Sequence, residues 1–184
     1  MVMMDIDGVG NAQIRSVQEI LDRRAESLAQ ESTEEHADDL MGILLFRLGQ
    51  EWYSVNIEDV REIYQEYVIT PIPCTPDFIL GVVNIRGEII SVTDVARIMR
   101  LGSLTTDISA APAIVIKSPE CTSAIVVDEI GDIVEVPRDR VEPPLSTIDK
   151  SQAEFVAGSL YVDGRLLGLI NTNRILEPVN AGPR

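Results

Sequence analysis

The side chains that could carry out catalysis or bind a metal are few: one histidine, His36, and two cysteines, Cys74 and Cys121, in 184 residues. A nucleophile activated by imidazole would have to use His36, which stands in ESTEEHADD, a stretch with five acids and no large apolar side chain. Nothing there would hold a ring in place. The cysteines form no CxxC pair and have no histidine beside them, so they read as buried or idle thiols of a reducing compartment, not as a zinc site. The chain has no GxxxxGK[ST] or GxGxxG segment to cradle a phosphate. DIDGVGN at the start fails as a calcium loop, because Val9 stands where an oxygen ligand is required and Ser16 where a carboxylate is required. Asp128, Glu129 and Asp132 could hold a hard cation or act as a carboxylate pair, but they border apolar strand residues and read as a solvated turn. An enzyme built on Asp128 and Asp132 would lack any further acid–base partner. The expectation is no catalysis, no cofactor and no metal.

GVVNIRGEIISVTDV, residues 81–95, is different in kind. An apolar strand runs into Asn84, Ile85, Arg86 and Gly87, and then a second strand begins. This predicts a tight hairpin turn with Gly87 at its final corner. Arg86 would be held outward on a rigid support, where a guanidinium fork suits bidentate contact with a carboxylate.

The elements that must position this turn follow from composition and periodicity. The chain holds 22 Ile, 19 Val and 15 Leu against three Phe, one Trp and four Tyr, an aliphatic, β-branched supply that favours strands. GILLFRL, then Gly49 and Gln50, then alternating Tyr53, Val55 and Ile57 predict an opening hairpin. Further strands are expected at Ile79 to Asn84, Glu88 to Thr93, Ala113 to Ile116, Ser123 to Val127, Ile133 to Val136, Val156 to Val162 and Leu166 to Ile170. Short helices are expected at about Ile57 to Tyr64 and Asp94 to Leu101, and ITPIPCTP is an extended connection. Short strands with few helices between them argue for an all-β body of two small barrels, with the stretch from Gly102 to Pro112 expected to join two subdomains.

The net charge of −15 is unevenly placed. Residues 1–40 carry ten acids and three arginines. Ile14, Val17, Leu21, Ala25 and Leu28 mark one stripe of a helix over about Asn11 to Gln30, which either packs on the body or docks on a partner. Such a charge opposes binding to nucleic acid or an anionic membrane surface. The acidic start and a longest uncharged run of only ten residues, Tyr67 to Pro76, predict no export leader and no membrane insertion.

The Arg86 segment resembles the hallmark stretch of the CheW-like domain family. The flanks agree in order: FRLGQEWYSVNIEDVREI resembles that family's opening hairpin, ITPIPCTPDFILGVV its proline-rich approach, AIVVDEIGDIVEV its second-half hairpin, and FVAGSLYVDGRLLGLINTNRIL its closing strands and helix. The resemblance divides the chain into an acidic extension at 1–40, a CheW-like domain at 41–177 and a short tail at 178–184. It implies two SH3-like five-stranded β-barrels and a non-enzymatic chemotaxis adaptor in the cytoplasm. Such an adaptor links the cytoplasmic tips of chemoreceptors to the regulatory domain of the histidine kinase CheA, with assembly into rings with other CheW-like domains. A non-flagellar pathway, such as twitching motility, is the alternative circuit. Carried over by motif, Arg86 matches an arginine implicated in coupling, and Val60 and Glu62 lie near it, with a Glu62–Arg86 ion pair expected. Gly81 fits a close backbone approach, Ile130 and Ile133 match residues of an apolar receptor groove or else ordinary core, and Gly158 matches a glycine affecting coupling. Ser91 departs from the family, which often has proline there.

Overall fold

The computed structural model describes residues 39–102, 104–144 and 150–180. The expected helix over about Asn11 to Gln30, and His36, lie outside the described residues. The opening hairpin forms as expected: β1 (Leu40–Leu48) and β2 (Glu51–Asn56) pair through Leu48 and Glu51 around Gly49 and Gln50. A single 3-10 turn, Ile57–Asp59, leads into β3 (Val60–Tyr64). Next come β4 (Ile79–Ile85), β5 (Glu88–Asp94), α1 (Val95–Ile98), β6 (Ala113–Lys117), β7 (Thr122–Val126) and β8 (Glu129–Pro137). The described chain finishes with α2 (Lys150–Ala153), β9 (Val156–Val162), β10 (Arg165–Ile170) and α3 (Thr172–Asn180). None of these helices is long and apolar enough to cross a membrane.

The strands form two five-stranded sheets. Sheet A runs β8, β1, β2, β10, β9, and sheet B runs β3, β6, β7, β5, β4. Each closes into a small SH3-like barrel by the same device. Past β3 the chain turns back, and Thr70 pairs with Val82 of β4 through hydrogen bonds of 2.8 and 2.9 Å. Past β8, Glu142 pairs with Ser159 of β9 through bonds of 2.9 and 2.8 Å. Barrel B is inserted in the chain between β2 and β8 of barrel A.

Burial explains the apolar runs. Leu44, Phe46 and Leu48 of β1 face a core shared between the barrels, together with Ile114 and Ile116 of β6 and Ile125 of β7. On the opposite faces, Met41 and Ile43 fill barrel A, while Ala113, Val115, Ala124 and Val126 fill barrel B. Strands buried on both faces need continuous apolar sequence, which is why GILLFRL and AIVI do not alternate.

The two barrels also repeat one another. GVVNIRGEIISVTDVARI and GSLYVDGRLLGLINTNRI superimpose residue by residue without a gap, matching Gly81 to Gly158, Gly87 to Gly164, Arg97 to Arg174 and Ile98 to Ile175. Each gives a strand, a two-residue turn, a second strand paired in parallel with a neighbour (β5 with β7, β10 with β2) and a helix.

Four expectations are corrected. The helix expected over Ile57 to Tyr64 is only the 3-10 turn, capped where Asn56 Oδ1 accepts from Glu58 N at 3.1 Å. From Val60 the residues alternate between half-buried and exposed and pair with β6, as β-branched Val60 and Ile63 favour. The helix expected over Asp94 to Leu101 is shorter: Asp94 caps its start by accepting from Arg97 N at 3.1 Å, and Arg100, at φ 58°, lies in the left-handed region beyond its end. The stretch from Gly102 to Pro112 stays within barrel B, between α1 and β6, and joins no subdomains.

The fourth correction concerns the acidic turn. Asp128 is buried, and Glu129 and Asp132 belong to β8. Asp128 Oδ2 accepts from Gly49 N at 2.6 Å, and its Oδ1 accepts from Thr105 Oγ1 at 2.8 Å and Thr106 N at 2.6 Å. It therefore fixes the crossing from barrel B to barrel A against the β1–β2 turn. Burial raises its pKa, but the hydrogen bonds from Gly49, Thr106 and Thr105 outweigh this and hold the carboxyl below its ordinary 3.8. A depressed folded pKa gives stability that is present above the unfolded value and lost as pH falls through the folded one. Asp128→Asn, which turns an N–H donor on one of these donors, should cost about 1–2 kcal/mol at pH 7. In urea melts its difference from the unaltered chain should shrink below about pH 4.

Ser91 has a structural account. Its Oγ donates to Ser123 Oγ at 2.9 Å, Ser123 Oγ donates back to Ser91 O at 3.0 Å, and Thr93 Oγ1 lies 2.8 Å from the same Ser123 hydroxyl. A short ladder of hydroxyls thus ties β5 to β7, a tie that proline at this position would lack.

Candidate functional site

The β4–β5 hairpin closes through Ile85 and Glu88, so its two turn residues are Arg86 and Gly87. Their φ values, 52° and 88°, are both positive, as a type I′ turn requires. Gly87 is thus the second central residue and not the final corner expected from sequence. Asn84 Oδ1 accepts from Gly87 N at 2.9 Å and braces the turn. Arg86 itself takes the left-handed conformation, which a side chain adopts only at a cost in energy. Its side chain is 77% exposed, so it is held outward as the turn predicted.

Arg86 Nη2 lies 2.9 Å from Glu62 Oε2 on β3, which is the expected ion pair. The Glu62 side chain is only 17% exposed and accepts at the same oxygen from Tyr64 Oη at 2.7 Å. Arg61 Nε approaches Glu62 Oε1 at 3.5 Å, and Arg61 Nη2 lies 2.7 Å from Glu88 Oε2. The hydrogen bond from Arg61 holds the Glu88 carboxyl below its ordinary value, and the bond to Glu62 pushes the Tyr64 phenol up. β3 and β4 are the two ends of sheet B's strand order, so these charges bridge β3 to the hairpin where no β3–β4 backbone ladder does.

The other candidates fall into two groups. Val60, at the start of β3, and Ile130, on β8, are both partly buried and pack against the shared core. Ile133 is 58% exposed on β8. Gly81 and Gly158 are buried equivalents in the internal repeat. A Cβ on Gly81, whose φ is 146°, would lie 2.3 Å from Thr70 O, and one on Gly158 would lie 2.7 Å from Glu142 O. Both glycines therefore stand beside the bridge that closes their barrel, and neither touches Arg86 in the hairpin turn. Arg61, Tyr64 and Glu88 escaped sequence reasoning. No sequence signal marks them, because burial along Val60 to Tyr64 runs against polarity, with Glu62 half-buried and Ile63 exposed.

A cleft of about 460 Å³ lies elsewhere, lined by Ser118, Cys121, Asn171, Arg174 and Glu177 among others. Burial raises the Cys121 pKa, which keeps it a poorly nucleophilic thiol, and Arg174 is paired with Glu177 at 2.8 Å. Among the described residues no cluster of His, Cys, Asp and Glu could hold a metal ion.

Comparison with known proteins shows what the chain as a whole is similar to. The family model described as CheW-like domain matches residues 42–179. A probable chemotaxis protein CheW from Rhizobium etli is 31% identical over 136 residues, covering 73% of this chain and 86% of that protein. Protein FrzA from Myxococcus xanthus is 28% identical over 135 residues, covering 72% of this chain and 82% of its own length. Among solved structures, the scaffolding protein TtCheW from Thermoanaerobacter tengcongensis superimposes with a TM-score of 0.66 at 29% identity, covering 74% of this chain and 92% of that one.

Proposed function

The chain belongs to the CheW-like domain family, and on that premise we propose that it is a chemotaxis coupling adaptor that links the cytoplasmic tips of chemoreceptors to the regulatory domain of the histidine kinase CheA. The observation that carries the coupling surface is the Arg86 turn: an exposed guanidinium, fixed at one end by Glu62, offers the rest of its fork outward. It supplies orientation and discrimination at the rim, while apolar residues such as Ile133 give contact area to a receptor helix. Val60 and Ile130 support that surface from the shared core, and Gly81 and Gly158 act through barrel closure. The adaptor works without catalysis or cofactor, in the cytoplasm beside the receptors, and takes part in rings with other CheW-like domains. The acidic segment 1–40 is an extension to the body that begins at Met41.

Likeness to Protein FrzA supports a second reading in which the same adaptor serves a non-flagellar chemosensory pathway. Co-purification from the native cell tests both readings. Capture of a CheA-type kinase with receptors is expected, and the kinase recovered tells the two circuits apart. Recovery of neither class of partner would contradict the adaptor. Repeating the capture with a chain beginning at Met41 assigns the extension: a lost partner means docking by the 1–40 stripe, and unchanged partners with lower stability mean packing.

A further inference from the structure

Glu62 is shared between two cations, and a third group decides which one holds it. Arg61 stands 2.7 Å from Glu88 and 3.5 Å from Glu62, so Glu88 draws it away from the carboxylate that Arg86 uses. Without Glu88, Arg61 would turn its full charge on Glu62 and compete with Arg86. Without Arg61, Glu88 would be released beside Arg86 on the same hairpin. Either loss gives Arg86 an alternative arrangement. The Tyr64 hydroxyl adds a second constraint, because it donates to the very oxygen that Arg86 contacts and fixes the rotation of the carboxylate.

We infer that the Arg61–Glu88 pair and the Tyr64 hydroxyl are positioning groups that hold Arg86 on one oxygen of Glu62 and so set the direction in which its guanidinium meets a partner carboxylate. This rests on the reading of Arg86 as the coupling residue. An arginine on a turn has several rotatable bonds, and binding must otherwise freeze them at the partner's expense. With one nitrogen already held, the remaining donors are presented in advance.

The test is a double-mutant cycle in the full chain, titrated against the CheA regulatory domain and against a receptor-tip fragment. Arg61→Gln and Glu88→Gln should each weaken association about threefold, as expected for an exposed charge pair. The double variant should bind more tightly than either single, since it removes both competitors of the Arg86–Glu62 pair. Arg61→Lys, which keeps the charge, should recover most of the affinity, and Tyr64→Phe should show a loss similar to the Gln variants. Melting temperatures should not move. Single variants that bind at full strength, while Arg86→Glu does not, would overturn the positioning role and leave the Arg86 surface standing. Losses that multiply in the double variant would also overturn it. Full binding by Arg86→Glu would remove both the surface and its positioning groups.

Discussion

Arg86→Glu is expected to abolish recruitment to receptor and kinase while leaving the chain folded. The side chain is 77% exposed and its pairing with Glu62 is a surface interaction, so folding should lose no more than about 1 kcal/mol. Binding is another matter. Reversal removes a cation from the interface and places a carboxylate where the partner's carboxylate must approach, and it leaves three acids, at 62, 86 and 88, around one turn. Loss of a charge-assisted contact at an interface costs about 2 kcal/mol or more, which is at least about thirtyfold in affinity, and repulsion adds to it. A pull-down with receptor and kinase, alongside a thermal melt, reads both halves. A variant that melts normally and binds fully would sink the assignment.

Gly81→Ala should act through the fold. Its Cβ would fall 2.3 Å from Thr70 O, a backbone atom that already accepts from Val82 N at 2.9 Å. The residue also holds φ at 146°, where an L side chain is strained. Relief requires either the Thr70 segment or β4 to move, and both lie in the bridge that closes barrel B. Strain and crowding together should destabilise by about 2–4 kcal/mol in urea melts. Coupling should fall with stability, because β4 also carries the Arg86 turn. Gly158→Ala offers the matched comparison: it crowds Glu142 O in barrel A, with no positive φ, and should cost less. Equal, negligible effects at the two positions would show that barrel closure tolerates displacement.

Much of the body was legible in the sequence because sheets buried on one or both faces leave plain patterns. Ile114 to Ile116 is apolar and buried throughout, and the alternation of Tyr53 and Val55 with Ser54 marks β2 as a strand although Ser54 is buried with them. VREIY was misread because half-buried Glu62 and exposed Ile63 invert the usual correspondence of polarity and burial: the carboxylate faces its ion-pair partners and the isoleucine faces outward. That inversion hid Arg61, Tyr64 and Glu88 with it. Asp128 was misplaced for a related reason. An acid beside apolar residues reads as solvated unless its donors are visible, and Gly49, Thr105 and Thr106 come from distant parts of the chain. The repeat of Gly81 to Ile98 in Gly158 to Ile175 rests on few identities, and the shared strand–turn–strand–helix geometry makes it evident. Arg86 was found early because a two-residue turn is local, and its chemistry needs no distant contact to be read.

The most direct test of the adaptor reading is reconstitution: CheA autophosphorylation measured with receptor-bearing membranes, with and without the full chain. Receptor-dependent control of the kinase should appear only when the chain is added and should be absent with folded Arg86→Glu. Equal control without the chain, or with that variant, would contradict it.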